Sequence, residues 1–343
     1  MFVVRPVEMR DIAALEVLAS EAKPGVHTFP RGRAAIEAAV ENSLASFASE
    51  PELPGGEAYM FVLESLADGA LSGSAMVSAL AGSNGIFFAF RNDVIQQVSR
   101  DLNIRHSVHV LTLCSDLTGH SQLSAFYVRN GRRAGAEAAL LSRARLLYAA
   151  AHPARFSDRF FSSLAGMTDR HGESPFWDAL GRKFFQMNFL DAERAIAGAR
   201  NRTLIVELMP HYPVYVPLLS SEARDAMGLV HSEGEMPLRL LSQEGFEPDA
   251  FIDIFDGGPI LQAHKMALRS FSASQPRRVA EADSESVARH RVAYLVSTLE
   301  QQHFRAVMVW CDELEIGAMV PLPPQARKAL NVGQGDKVLT VQL

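Results

Sequence analysis

The stretch that decides the fold is Leu123–Ala151, which reads LSAFYVRNGRRAGAEAALLSRARLLYAAA. Its first part, Leu123–Val128, is an apolar run that predicts a strand, and Arg132–Ala151 is rich in Ala and Leu and predicts a long helix. A small-residue loop joins the two. Such a loop at a helix start can form an anion site, because free backbone N–H groups and the positive end of the helix face the ligand. The alternative is an ordinary Ala-rich helix that follows a strand.

The elements around this stretch alternate without a regular repeat. On the N-terminal side we predict strand Phe2–Arg5, a helix capped by Asp11, helix Arg33–Phe47, and a hairpin of Ala58–Glu64 with Leu71–Leu80. Further strands are predicted at His109–Cys114, Phe156–Met167, Thr203–Met209 and Phe251–Phe255, and helices at Pro175–Phe185, Ser221–Met227 and Pro237–Glu244. This order predicts a mixed α/β layer structure, of the α+β kind, and not regular βαβ repeats.

The C-terminal part of the chain changes in composition. Residues 274–286 lie in a polar, charged region with Pro276 and no core pattern, so we predict a linker there. The linker would separate a large domain, residues 1–273, from a small β-rich domain, residues 287–343. Within the small domain, strands are predicted at Val292–Ser297, Phe304–Trp310, Met319–Leu322 and Lys337–Leu343.

Composition excludes several classes of protein. The chain has 343 residues, 48% of them apolar, which is enough for a sizeable core. A net charge of −6 without a dense basic block argues against nucleic acid as the main partner. The apolar runs are too short to cross a membrane, and the N-terminus has no leader pattern. Cys114 and Cys311 both lie in apolar runs, so we predict a cytoplasmic protein without disulfides and without a metal site.

His231 is the candidate catalytic residue. It lies in the segment GLVHSEGE, a polar and loop-like context in which an imidazole can titrate near neutral pH. A histidine of this kind can act as a general acid or a general base.

Three carboxylates are candidates for binding a cationic substrate. Glu207 lies in the predicted strand Thr203–Met209, where a buried carboxylate would need a partner. Asp253 and Asp256 lie in DIFDGGP, where the strand predicted at Phe251–Phe255 runs into a turn. Either aspartate can receive a guanidinium by a bidentate bond. The interpretation that we favour for Asp256 is a cap on the Gly-Gly turn, and the sequence does not choose among the three.

Several segments together resemble the arginine N-succinyltransferase family, which belongs to the GNAT-like acyltransferases. They occur in order over almost the whole chain: VRP at 4–6, FVLE at 61–64, DLTG at 116–119, HGESPFW at 171–177, residues 205–219 and 230–259, and HFR at 303–305. The likeness is greatest to the α-subunit type. It implies a mostly antiparallel mixed sheet flanked by helices, and transfer of the succinyl group of succinyl-CoA to the α-amino group of L-arginine, with L-ornithine as a possible second substrate. It also implies an oligomer, in some bacteria with a homologous β subunit, and no permanently bound cofactor.

The resemblance carries over to individual residues. His231 matches the family's acid/base histidine, and Phe126, with Val128 on the same strand, matches the segment whose backbone runs along the pantetheine arm of succinyl-CoA. The CoA loop of the superfamily has the form Arg/Gln-x-x-Gly-x-Gly/Ala. Counted from Arg133, this chain has Ala138 at the last position but lacks the glycine. Counted from Arg132, it has the glycine but ends on a glutamate.

The altered loop keeps a second hypothesis open. The chain can be a weakly active or non-catalytic α subunit that completes a site with a paralogous β subunit. A third hypothesis is DNA binding, because the segment from Val320 to Val338 resembles the swapped-hairpin AbrB motif. That motif normally has more basic residues than Arg327, Lys328 and Lys337.

Overall fold

The fold was analysed in a computed structural model that describes residues 1–23, 28–83, 85–130, 135–196, 205, 207–282 and 292–343. The strands of these residues form one sheet in the order β14-β11-β15-β12-β13-β1-β2-β3-β6-β7-β10-β9-β4-β5-β8. All named neighbours are antiparallel except β6 with β7 and β11 with β14. The strands are β1 Phe2–Pro6, β2 Ala58–Ser65, β3 Leu71–Ser78, β4 Ala89–Ser99, β5 Ile104–Cys114, β6 Ser121–Val128, β7 Arg159–Ser163, β8 Val214–Tyr215, β9 Glu247–Ile252, β10 Pro259–His264, β11 Gln275–Glu281, β12 Val292–Ser297, β13 Ala306–Cys311, β14 Val320–Leu322 and β15 Lys337–Gln342.

The α-helices cover the sheet on both faces. They are α1 Ile12–Glu21, α2 Arg33–Ala48, α3 Gly135–Ala151, α4 Pro175–Ala179, α5 Gly181–Phe185, α6 Phe189–Ile196, α7 Ser221–Ala226, α8 Glu235–Glu244, α9 Arg269–Ser272 and α10 Pro324–Leu330. Short 3-10 turns occur at Met9–Asp11, Pro153–Arg155, Val216–Leu218, Ser232–Gly234 and Lys265–Ala267. The predicted α+β class with a mostly antiparallel sheet is confirmed. No helix of the described ranges is long and apolar enough to cross a membrane.

Helix α3 is the centre of the molecule. Every residue from Ala138 to Ala149 is buried, which explains the unbroken run of Ala and Leu in the sequence. Its apolar side chains share one core with strands β2, β3 and β6, in which Tyr148 contacts Phe61 and Phe304 edge to face. The polar interruptions in this helix, Arg143 and Arg145, are buried as well.

The predicted linker is wrong for residues 275–281, which form strand β11. This strand pairs with β15 from Gln275 to Arg278. Its charged residues are the reason that it resembles a linker in the sequence. Arg277 is buried and donates to the carbonyl oxygens of Glu315 and Ala318, at 2.7 and 2.8 Å. The division of the chain into two domains stays a prediction.

Two further local predictions need correction. Residues 205, 207 and 208 are helical, not part of a strand, and the amide of Met209 donates to the carbonyl of Ile205 at 2.9 Å. A short apolar run fits a buried helix as well as a strand, so the spacing of apolar residues does not distinguish the two. Asp11 precedes α1, but its carboxylate binds the guanidinium of Arg5 at 2.7 and 2.9 Å and does not cap that helix.

Candidate functional site

A β-bulge interrupts strand β6 beside helix α3. Ser74 pairs with Tyr127 and Met76 with Ser124, so Ala125 and Phe126 together oppose the single residue Ala75. Ala125 has a φ of +51°, a left-handed conformation that a residue with a Cβ rarely adopts.

Side chains replace the ladder at the bulge. The hydroxyl of Ser74 donates to the carbonyl oxygen of Ala125 at 3.0 Å, and the amide of Ala125 donates to the Oγ1 of Thr28 at 2.7 Å. Nη1 of Arg145 donates to the carbonyl oxygens of Met76 and Ser124, both at 3.3 Å. The bulge is therefore fixed by three side chains from three different segments of the chain.

The pairing of β6 with β7 ends early. These parallel strands pair only at Ser121 with Phe160 and at Gln122 with Phe161. Beyond this point the backbones of Leu123–Val128 and β7 share no named pair, although the Ser162 hydroxyl donates to the Leu123 carbonyl at 3.2 Å. Both strands point the same way, so their C-terminal ends lie at one edge of the sheet.

His231 lies at this same edge. Val230 forms a bridge with Gly166, and the amide of His231 donates to the carbonyl of Ala165 at 2.8 Å, directly after the end of β7. The ring Nδ1 accepts the amide proton of Glu233 at 3.1 Å. Because Nδ1 is an acceptor in this arrangement, a neutral imidazole carries its proton on Nε2.

Charged side chains connect the end of β6 with the His231 segment. Arg129, just after β6, makes a bidentate ion pair with Glu21 at 2.8 and 3.0 Å. Lys23, two residues after Glu21, contacts Glu233 at 2.9 Å. Tyr127 lies within the field of these groups, since burial and then the charges of Glu21 and Glu233 raise the pKa of its phenol. The strand segment that is predicted to contact succinyl-CoA is therefore connected through these charged side chains to the segment that contains His231.

Asp256 holds the turn that supports the His231 segment. One oxygen accepts the amide of Gly258 at 2.8 Å and the other accepts the amide of Gly166 at 2.6 Å. The packing is so close that a Cβ on Gly258 would lie 2.2 Å from the carbonyl oxygen of Leu164. Burial, and after it repulsion by Asp253, raises the pKa of Asp256 to about 8. Asp256 therefore caps the Gly-Gly turn, the interpretation favoured from the sequence, and its two oxygens are used within the fold.

The other predicted binding residues are placed differently. Asp253 lies just after β9, is half-buried, and accepts the amide of Phe255 at 2.8 Å, so it stays a candidate for the substrate cation. Burial raises the pKa of its carboxyl. Glu207 is exposed and helical, which contradicts the predicted buried strand carboxylate.

The predicted CoA residues also separate in space. Phe126 is half-buried, whereas Val128 and Ala138 are buried with exposures of 6% and 0%. Ala138 packs in the central core, so any contact of this residue with a ligand would involve its backbone. Arg133 lies outside the described residues. Contact of these four residues with succinyl-CoA stays a prediction.

Sequence reasoning missed the side chains that fix the bulge. Thr28 and Ser74 gave no signal, because hydroxyl residues are common in loops and strands. Arg145 did give one, since it interrupts an apolar run in a helix that is buried all round. Among the described residues, no group of three or more His, Cys, Asp or Glu side chains is arranged to hold a metal ion.

The charges of the AbrB-like segment are partly used within the fold. Arg327 forms an ion pair with Glu281 and is only partly exposed. A shallow depression of about 430 Å³ lies beside it, lined in part by Lys328 and Asn331, in the C-terminal part of the chain. None of its lining residues belongs to the edge of the sheet that carries His231.

Comparisons with known proteins agree on one family. A family described as "Arginine N-succinyltransferase beta subunit" matches residues 2–270. The arginine N-succinyltransferase subunit alpha of Pseudomonas aeruginosa is 42% identical over 99% of this chain and 99% of its own length. The arginine N-succinyltransferase of Escherichia coli K12 is 34% identical over 100% of this chain and 98% of its own length. Among solved structures, arginine/ornithine succinyltransferase subunit AI from P. aeruginosa superposes with a TM-score of 0.89 at 39% identity, covering 100% of this chain and 98% of that one.

The fold, the site and these relatives define an enzyme of the acyltransferase class. The chain belongs to the arginine N-succinyltransferase family. The family match ends at residue 270, while the full-length relatives also cover the C-terminal strands.

Proposed function

We propose that this chain transfers the succinyl group of succinyl-CoA to the α-amino group of L-arginine. The amine nitrogen, once it has lost a proton to solvent, attacks the thioester carbonyl carbon and forms the C–N bond. The nitrogen then gives up its second proton, the C–S bond breaks, and the sulfur leaves with the electron pair and takes up a proton from solvent. The reaction needs no permanently bound cofactor, because the thioester is already activated.

The observation that carries this proposal is the position of His231. It lies at the edge of the sheet where β6 and β7 cease to pair, and its Nδ1 accepts the amide of Glu233. A ring held this way presents an N–H at Nε2, which is a donor. To act as a base at Nε2 it would have to give up the bond to Glu233. Loss of this proton would leave the ring as an anion, so we assign His231 the role of a hydrogen-bond donor from Nε2 to the departing thiolate of CoA.

Asp253 is the proposed contact for the guanidinium of arginine. It is the one of the three predicted carboxylates that is half-buried and has an oxygen without a backbone bond in the described part of the chain. A partly buried carboxylate that pairs with the guanidinium discriminates against a substrate without the cation, because its own charge would be left uncompensated. L-ornithine is the proposed second substrate, since the solved relative from P. aeruginosa is called an arginine/ornithine succinyltransferase.

The proposal is tested by thiol release from the purified chain with succinyl-CoA, with and without L-arginine. Arginine-dependent release, with a product heavier than arginine by one succinyl group, is the expected result. Release that does not depend on an amino acid would contradict it. Acetyl-CoA serves as the control donor, since it has the same thiol but lacks the succinyl carboxylate.

A second candidate function is that of a subunit that needs a partner. The name of one relative, subunit alpha, favours it, as does the departure of the CoA loop from the superfamily form. In that case the chain alone releases no thiol, and a homologous second subunit restores release. We also propose a cytoplasmic location, in keeping with the two free thiols, Cys114 and Cys311.

A further inference from the structure

Arg145 is a buried cation that no carboxylate of the described residues neutralises. The residue is 2% exposed, and within the described ranges no carboxylate lies within ion-pair distance of it. Its Nε donates to the carbonyl of Ser142 in its own helix at 3.2 Å. Burial of this kind is costly for a charge, and it lowers the pKa of Arg145 to about 9, so the guanidinium stays charged at neutral pH. Burial in the core does not by itself explain why this position holds an arginine.

The contacts of Arg145 converge on the bulge in β6. Nη1 donates to the carbonyl oxygens of Met76 and Ser124, which pair with each other directly beside the bulge. The guanidinium carbon lies 5.3 Å from the centre of the Phe126 ring, within the range of a cation–π contact. Arg145 thus holds the residue before Ala125 by its carbonyl and the residue after it by its ring.

The bulge fixes the orientation of the strand that the family resemblance predicts to contact succinyl-CoA. A bulge adds a residue to one strand and so turns the following backbone groups. Without Arg145, the carbonyls of Met76 and Ser124 would each lose a buried donor, and the bulge would lose one of the three side chains that fix it.

Resting on the proposed function, we propose that Arg145 is a positioning residue for acyl transfer. It acts through the carbonyls of Met76 and Ser124, and holds the backbone of Ser124–Tyr127 in the orientation that receives the thioester. It does not touch the substrate. A misplaced backbone in this strand lowers the rate of transfer, because small errors of geometry are expensive in reactions that depend on orientation.

Arg143 supplies a matched control. It is also buried on α3, but its Nε is paired with Glu244 at 3.2 Å, away from β6. Arg143→Met and Arg145→Met remove the same groups from the same helix at similar depth. The first leaves the buried carboxylate of Glu244 without its cation, so we expect a lower melting temperature with kcat within about three-fold of wild type.

For Arg145→Met we expect kcat to fall roughly 10- to 100-fold, with the KM for arginine within about three-fold. Arg145→Lys keeps a charge and a donor near the carbonyls and recovers at least about five-fold of that loss. A folded Arg145→Met protein with kcat within two-fold of wild type overturns the proposal, as does a lysine variant no better than the methionine variant. If Arg145→Met does not fold, Ser74→Ala takes its place, since it removes the donor to the Ala125 carbonyl. Its expected loss in kcat is about 3- to 10-fold, and an unchanged kcat overturns the proposal.

Binding of CoA separates failure of this inference from failure of the proposed function. If the wild-type chain releases no thiol, its affinity for CoA is measured by calorimetry. A Kd that rises at least ten-fold in Arg145→Met but not in Arg143→Met supports the positioning role, and equal values overturn it. A wild-type chain that binds no CoA overturns the proposed function, and the inference with it.

Discussion

The two ends of strand β7 carry the same local structure in different surroundings. His231, beyond the C-terminal end, precedes a 3-10 turn and accepts the amide two residues ahead on Nδ1 at 3.1 Å. His264 pairs with Arg159 at the N-terminal end, precedes another 3-10 turn, and accepts the amide of Met266 in the same way at 3.2 Å. The capping geometry therefore does not define the site. The candidate site differs from the other end because the pairing of β6 with β7 stops there and because β6 carries the bulge.

The environments of the two ends differ in charge and burial. At the N-terminal end His264 is exposed, and the adjacent Lys265 binds the exposed Asp158 at 2.6 Å. At the C-terminal end the supporting carboxylate, Asp256, is buried and bound by two backbone amides. The first end is a solvated surface, and the second is a rigid frame for a histidine.

The largest expected effect is that of His231→Ala on turnover. Loss of the hydrogen-bond donor should lower kcat by roughly 10²–10³-fold, the usual range for one donor that stabilises developing charge. His264→Ala removes the same ring from the same kind of cap and should leave kcat within two-fold. The measurement is thiol release at saturating succinyl-CoA and arginine. Equal losses in the two variants would show that the capping role, and not the position, matters.

The next effect is the loss of the frame in Gly258→Ala. Its Cβ would lie 2.2 Å from the Leu164 carbonyl oxygen and 2.5 Å from the amide nitrogen of Gly166, so the turn must open. We expect unfolding free energy to fall by roughly 2–3 kcal/mol, and kcat to fall with it. Gly119→Ala, near the other end of β6, meets no atom within 4 Å and is the control. Denaturant unfolding of both variants measures the change in unfolding free energy. A Gly258→Ala protein as stable as wild type would contradict the close packing around Gly258.

Asp256 and Asp158 should contribute to the pH dependence of the unfolding free energy with opposite signs. The pKa of Asp256 is raised in the folded state, so its contribution to stability is complete below its unfolded pKa and is lost as the pH rises toward about 8. One such group changes the unfolding free energy by at most about 1.4 kcal/mol per pH unit. Asp256→Asn should flatten this slope between about pH 4 and pH 8.

Asp158 is the control for that titration. The hydrogen bond from Lys265 lowers its pKa, so its contribution is present above the unfolded pKa and is lost only in acid. Asp158→Asn should therefore leave the slope between pH 4 and pH 8 unchanged. A slope that survives Asp256→Asn would assign the titration to another group.

The smallest effect is expected at the bulge itself. Ala125 has φ +51°, which costs about 1 kcal/mol for a residue with a Cβ. Ala125→Gly removes that strain, and after the entropy gained by the unfolded chain it should stabilise the protein by about 0.5 kcal/mol. Ala144→Gly, in α3, should instead destabilise it by about 1 kcal/mol. Thermal denaturation of the two variants compares them, and a destabilised Ala125→Gly protein contradicts the left-handed conformation.

Sequence patterns predicted the parts of the molecule that local rules govern. The hairpin of β2 and β3 was predicted because Asp68-Gly69 marks the turn, and Gly69 does have a positive φ of 72°. The helix α3 was predicted from its composition, and β12 from its apolar run, both close to their observed bounds. The catalytic role of His231 stays a prediction.

The parts that failed depend on partners distant in sequence. Strand β11 resembled a linker because the carbonyls that bind Arg277 lie about forty residues away. Glu207 was predicted to lie on a strand because a short apolar run does not distinguish the residue spacing of a helix from that of a strand. The bulge at Ala125 could not be predicted, since it depends on Thr28, Ser74 and Arg145, which only the folded chain brings together.

Stabilisation of the departing sulfur by a hydrogen bond from His231 is the central step of the proposed mechanism. It is tested most directly by varying the thiol of the succinyl thioester and measuring kcat for wild type and His231→Ala at saturation. A leaving thiol of low pKa needs little stabilisation by a donor, so we predict that the defect of His231→Ala shrinks by at least about ten-fold with such a thioester. A defect that is the same for thiols of high and low pKa would contradict this role of His231.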